Sequence, residues 1–200
     1  MLRDNHRYKM LTRDNVDLVT DPIERITADA VVTKAGTFWP TDVLVLATGF
    51  DAQRMLAPMQ IEGRKGKTIR DLWGDDNPRA YLGITVPGFP NLFMLYGPGT
   101  NLAHGASLFF HSECQIHYAM DCIHQVLTAG AQTIEVRKDA HDEYIERYRN
   151  EIDQLIWSHP SITHSHYKNP QGKIFTLSPW RLELYWEWTR SADPEEFIVG

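Results

Sequence analysis

Asp42-Val43-Leu44-Val45-Leu46-Ala47-Thr48-Gly49-Phe50-Asp51 is the stretch from which the rest of the chain is read. Val43 to Leu46 is too short for a helix core, and it is β-rich and apolar on both faces. Such a run predicts a buried strand of a parallel sheet. It stops at Ala47-Thr48-Gly49, where small side chains let another backbone or a flat ligand approach closely. In open α/β sheets, ligands bind at that carboxyl end. Phe50-Asp51 then leads into a loop. The segment reads as a junction, with the tail of one unit before it and the completion of another after it.

Composition bounds the problem. The 200 residues are 42% hydrophobic and 23% charged, the range of a globular chain of one domain or two small ones. A formal charge of -6 offers no basic face for nucleic acid. No apolar run approaches the ~20 residues of a membrane helix, so no membrane partner is expected. Met1-Leu2-Arg3-Asp4 opens on polar residues and predicts no secretory signal. Cys114 and Cys122 fall in one predicted helix, about 12 Å apart by rise alone, too far for a disulfide. Two reduced cysteines suit a cytoplasmic protein. Aromatic residues make up 11% of the chain and crowd its last fifty positions, which fits a piece of a larger protein.

Working outward, a short helix is expected around Tyr8, Met10 and Leu11, and a strand over Val16, Leu18 and Val19. Ile23 and Ile26 mark a further apolar segment. Ala30 to Thr33 and Thr37 to Trp39 flank Lys34-Ala35-Gly36 as a β-hairpin. After the junction, Gly63-Arg64-Lys65-Gly66-Lys67 reads as a solvated basic turn, and Thr68 to Trp73 as a short helical turn. Asn91 to Tyr96 is a second predicted buried strand, ending in Gly97-Pro98-Gly99-Thr100-Asn101. The longest helix is expected from about Gly105 to Ala129, with Leu108, Phe109, Ile116, Ala119, Met120, Ile123, Val126 and Leu127 at helical spacing and Gly130 as its stop. A short strand over Gln132 to Val136 follows. A second helix runs to about Trp157 with Asp139 as N-cap and Tyr144, Ile145, Tyr148, Ile152, Leu155 and Ile156 on its apolar side.

A strand, a Gly-rich turn and a long helix in series form the second candidate site, because free N–H groups at a helix start attract phosphate or a polarised ring carbonyl. A plain helix cap with a Gly-rich entry turn is the competing reading. His159, His164 and His166 lie near one another around Pro160 but lack zinc spacings, so no metal site is assigned. No P-loop, no G-x-S-x-G and no G-x-G-x-x-G occurs in the chain.

Two separated segments now carry a resemblance. DVLVLATGFD at 42–51, and Pro87-Gly88-Phe89-Pro90-Asn91-Leu92-Phe93 followed by Tyr96-Gly97-Pro98-Gly99-Thr100-Asn101-Leu102-Ala103-His104-Gly105, resemble the flavin-dependent class B monooxygenases. The whole chain is similar to the C-terminal part of a Baeyer–Villiger monooxygenase of the 4-hydroxyacetophenone monooxygenase type. The resemblance implies an α/β fold: the C-terminal part of a flavoprotein with two Rossmann-like dinucleotide-binding domains, incomplete on its own. It implies that residues 1–41 end the NADPH domain, 42–51 cross between domains, and 52–200 complete the FAD domain with an aromatic C-terminal extension. It implies FAD and NADPH as cofactors, and a ketone and O2 as substrates, with one oxygen inserted to give an ester or lactone. It also implies the missing N-terminal part as a partner, without which the chain is expected to be inactive. The cofactor-binding positions it implies are Ala47, Thr48, Gly49, Asp51, Gly97, Thr100, Asn101, Leu102, His104, His166 and Tyr167. Of these, Asn101, Leu102 and His104 are expected by the flavin ring. His166 and Tyr167 belong to a loop that folds over NADPH, with His166 where several members carry Trp. The family's active-site arginine would fall just before Met1, so no catalytic residue is assigned. Two other readings stand beside this one: a free-standing non-catalytic remnant or interaction module, and part of an N- or S-oxygenating flavin monooxygenase.

Overall fold

A computed structural model describes residues 6–49, 54–102, 107–162 and 165–200. Asp51, His104 and His164 therefore lie outside the described residues. The chain divides into two compact units, Met1–Phe50 and Asp51–Gly200.

In the first unit, helix α1 (Arg7–Met10) is followed by three antiparallel strands, β1 (Ile23–Ile26), β2 (Ala30–Thr33) and β3 (Phe38–Pro40). The expected hairpin is present, with Val31 opposite Trp39 and Val32 opposite Phe38. Its turn is held by the Ala35 N–H donating to Asp21 Oδ2 at 2.9 Å. Val32 and Thr33 are buried on the central strand.

Two strand expectations fail in this unit. Val16 to Val19 is irregular, with Leu18 exposed. Val43 to Leu46 is irregular too, and Val45 is 80% exposed. A parallel strand takes all its ladder hydrogen bonds from neighbours. The three strands of this unit are antiparallel and pair only with one another. The β-propensity of 43–46 is real, but no described residue of its own unit satisfies it.

In the second unit, helix α2 (Ile69–Trp73) opens with a capping box: Thr68 Oγ1 accepts from the Asp71 N–H while Asp71 accepts from the Thr68 N–H. Helix α3 (Leu108–Thr128) starts from Ser107, whose Oγ accepts from the Phe110 N–H at 3.2 Å. It ends at Gly130, where the Ala131 N–H returns to the Val126 carbonyl at 3.0 Å. Strand β4 (Ile134–Val136) leads into helix α4 (Lys138–Asp153). Helix α5 (Leu182–Thr189) precedes strand β5 (Phe197–Val199). Strands β4 and β5 pair antiparallel, Ile134 with Val199 and Val136 with Phe197, so the last residues of the chain close this unit.

Three corrections concern this unit. Asn91 to Tyr96 is not a strand. Asn91 (φ +59) and Tyr96 (φ +57) both sit in the left-handed region, which interrupts an extended run at each end. Asn91 docks on β4 instead: its N–H meets the Ile134 carbonyl and its Oδ1 takes the Ile134 N–H, both at 3.0 Å. The N-cap of α4 is Arg137, not Asp139; Asp139 lies in the first turn and forms an ion pair with Arg137. That helix ends at Asp153, and Ile156 is exposed in a separate short turn.

The third correction is the buried face of α3. Its core side is His111, Cys114, Gln115, Tyr118 and Cys122. The predicted apolar residues Phe109, Ile116, Met120, Ile123 and Leu127 are exposed, Phe109 at 83% and Leu127 at 72%. The buried side packs toward α5 and the aromatic cluster of Tyr144, Tyr148, Trp180 and Tyr185, and both cysteines are free. No described helix is long and apolar enough to cross a membrane.

Candidate functional site

The turn Gly97-Pro98-Gly99-Thr100-Asn101 is held on three sides. Along one side, residues 175–178 grip its backbone. The Gly99 N–H donates to Phe175 O at 2.6 Å, the Asn101 N–H to Thr176 O at 2.8 Å, and the Ser178 N–H to Asn101 O at 2.8 Å. Inside the turn, the buried Thr100 hydroxyl donates to Gly97 O at 2.7 Å. Behind it lies Gly83, at φ +72. A Cβ there would stand 2.2 Å from Thr100 Cγ2 and 2.8 Å from Pro98 O. A Cβ on Gly97 would stand 2.2 Å from Gly83 O. The two glycine backbones therefore interlock, and only a residue without a side chain fits either place.

The third constraint is a relay of side chains. Tyr96 OH donates to Asn101 Oδ1 at 2.7 Å. The Tyr96 N–H donates to Gln115 Oε1 at 2.8 Å. Gln115 Nε2 donates to Tyr185 OH at 3.1 Å, and Tyr185 OH donates to Leu82 O at 2.7 Å. Gln115 is fully buried, so its amide is spent within the protein. Asn101 differs: its Oδ1 is used, and its Nδ2 makes no hydrogen bond to any described residue. The relay leaves two N–H donors of a half-buried carboxamide available to an acceptor. The Tyr96 hydroxyl is pushed above its ordinary pKa by burial and by the nearby Tyr167 hydroxyl, so it stays protonated as the donor. His111 stacks on Tyr185 with ring centroids 3.8 Å apart, and burial pushes its pKa down to about 4, which keeps it neutral.

The structure treats the expected site residues unequally. Gly97 and Thr100 are buried and shape the turn, while Asn101 and Leu102 are half-buried at its exit. Tyr167 lies edge-on to Trp157 at 5.1 Å and to His166 at 5.4 Å, within electrostatic reach of Tyr96. Ala47, Thr48 and Gly49 are exposed in the first unit. Among the described residues, no three metal-ligating side chains converge. Tyr96, Gln115 and Tyr185 were not expected at the site. Nothing in the sequence singled them out, since Gln115 follows His111, Ser112 and Glu113 in a helical stretch of mixed polarity.

No family model matches the chain. A Baeyer–Villiger monooxygenase of Pseudomonas aeruginosa is 31% identical over 201 residues, 98% of this chain and 37% of that protein. In sequence and in fold, the chain is a counterpart of the C-terminal part of the Baeyer–Villiger monooxygenases. An FAD-binding monooxygenase of Aspergillus niger is 39% identical over 196 residues, 96% of this chain and 32% of its own length. The solved cyclohexanone monooxygenase of Rhodococcus sp. Phi1 bound to NADP+ superposes with a TM-score of 0.79 at 29% identity, over 98% of this chain and 38% of that one. The chain thus spans about a third of the length of the curated relatives it matches. The shared Baeyer–Villiger fold is α/β and only partly contained here.

Proposed function

We propose that this chain is the cofactor-closing part of an FAD- and NADPH-dependent monooxygenase that inserts one atom of O2 into a ketone to give an ester or lactone. In this reading residues 1–41 end the NADPH domain, 42–51 cross between domains, and 52–200 complete the FAD domain. The observation that carries it is the pinned turn, in which Asn101 Oδ1 is engaged by Tyr96 while its Nδ2 donors have no hydrogen-bond partner among the described residues. That group fits an oxygen of a flavin ring, whose pyrimidine edge offers carbonyl acceptors at the point where charge develops on reduction. Flavin reduced by NADPH supplies the oxygen-activating chemistry when bound. This chain's contribution is to orient and enclose: Asn101 donates, Leu102 excludes water, and His166 and Tyr167 cover the nicotinamide cofactor. The two free, buried cysteines suit a reducing cytoplasmic setting.

The same reading explains the exposed apolar surface. Phe109, Ile116, Met120, Ile123 and Leu127 form one stripe of α3, at spacings of seven, four, three and four. A stripe of that kind needs cover. The relatives are about three times as long as this chain, and we assign the cover to their additional, N-terminal part.

FAD titration of the 200-residue chain tests both statements. Gel filtration is expected to strip the flavin, leaving a colourless protein, while millimolar FAD shifts the Asn101 side-chain amide resonances. A flavin band that co-elutes with the chain would overturn the dependence on the additional part. Asn101 resonances that do not move at any FAD concentration would overturn the cofactor turn.

A further inference from the structure

A cavity of 360 Å³ opens between α4 and the backbone of residues 98–99 and 172–175. That volume is in the range of small-molecule sites. It shares Gly99 and Phe175 with the grip on the Asn101 turn, although Asn101 itself does not line it.

Among the described residues, the charge lining it is uncompensated. Arg79, Arg149 and Lys173 face one carboxylate, Asp153. Arg79 is half-buried and held by a single hydrogen bond, from its guanidinium to Leu72 O at 2.9 Å. Its Nε is buried with no hydrogen-bond partner among the described residues. Arg149 and Lys173 make no side-chain hydrogen bond or ion pair to another described residue. The carboxylate with most influence on Arg79, Asp142, is itself engaged by Lys138 and His141. Burial, and then the like charge of Arg149, lowers the pKa of Arg79. Two guanidinium groups that repel each other across a cavity are favourable only when an anion lies between them. The remaining walls include Ile145, Ile152 and Phe175, which are apolar and buried.

We propose that this cavity binds a phosphate monoester with a small apolar group. Three cations against one carboxylate match a dianion, and guanidinium forks pair with phosphate oxygens in a bidentate manner. The apolar walls take the organic group. A simpler arrangement competes with it: Arg149 could swing to Asp153, one helical turn on, and neutralise itself.

Phenyl phosphate titrated into the 200-residue chain by calorimetry separates the two. Saturable one-site binding is expected, weakening as salt rises, with the Arg79 Nε–H resonance moving in step. Arg149→Glu should weaken binding at least tenfold. Asp153→Asn should tighten it severalfold, an outcome that loss of fold cannot mimic. Both side chains are exposed, so the fold should survive. Arg181→Glu makes the same charge change outside the cavity and should leave affinity unaltered. The proposal is overturned by no saturable binding, by equal affinity in all three variants, by benzoate binding tighter than phenyl phosphate, or by inorganic phosphate binding as tightly as phenyl phosphate.

Discussion

Gln115→Leu is the most informative single change in the relay behind the Asn101 turn. Leucine is close to glutamine in volume and suits the buried face of α3, so packing is nearly preserved. What disappears is one acceptor and one donor. The Tyr96 N–H loses its partner at 2.8 Å in a part-buried position. Leaving such a donor unsatisfied costs about 1–3 kcal/mol. Tyr185 OH loses the donor at 3.1 Å but keeps Leu82 O, so that end costs about 1 kcal/mol or less. The sum is about 1–4 kcal/mol, or a fall in Tm of roughly 2–16 °C for a chain of this size. Urea titration followed by tryptophan fluorescence measures the loss. Hydrogen exchange at the Tyr96 amide measures its local part, and that amide should exchange at least tenfold faster. Tyr96→Phe separates orientation from stability: it frees Asn101 Oδ1 and should move the Asn101 amide resonances, yet cost less than about 1 kcal/mol because the hydroxyl pair is exposed. Stability within 0.5 kcal/mol of wild type, together with unchanged Tyr96 exchange in Gln115→Leu, would refute the relay.

Gly83→Ala should destabilise the chain by more than about 2 kcal/mol, since its Cβ would overlap Thr100 Cγ2 and Pro98 O at a left-handed φ; a melt matching wild type would refute the interlock. His111 has a folded-state pKa of about 4, below the unfolded value of about 6.5, so the unfolded chain binds more protons between those values. Its contribution is complete above pH 6.5 and is lost as pH falls toward 4, by up to about 3 kcal/mol, and His111→Phe should flatten that part of the stability–pH profile while keeping the stack on Tyr185. An equally steep profile in the variant would count against the assignment. Glu135→Ala removes the carboxylate that takes the Gly88 N–H at 2.7 Å and Arg64 Nε at 2.5 Å, and should cost about 2 kcal/mol, read by chemical denaturation, with most of the effect from Gly88 because Arg64 is solvated.

Local chemistry made part of this protein legible from its residues alone. Lys34-Ala35-Gly36 between two β-rich runs gave the hairpin, Thr68 to Trp73 gave the short helical turn of α2, and Gly130 gave the end of α3. Each of these depends on bonds among residues a few positions apart. The family resemblance was readable for a similar reason: the ATG segment and the Gly97–Leu102 turn are contiguous in sequence. Tertiary structure decided the rest, because it depended on partners far along the chain. Val43 to Leu46 has the composition of a buried strand, but a parallel ladder needs neighbours that the described residues of its unit do not supply. Asn91 to Tyr96 has it too, yet Asn91 is captured by β4 some forty residues later. Helical periodicity marked α3 correctly as a helix, but it ranks faces by hydrophobicity alone. The face turned inward is the one whose glutamine bonds Tyr185 of α5 and the Tyr96 turn and whose histidine stacks on Tyr185, and the greasier face is left outward. Periodicity measures how apolar a face is; only the assembled structure fixes what each face meets.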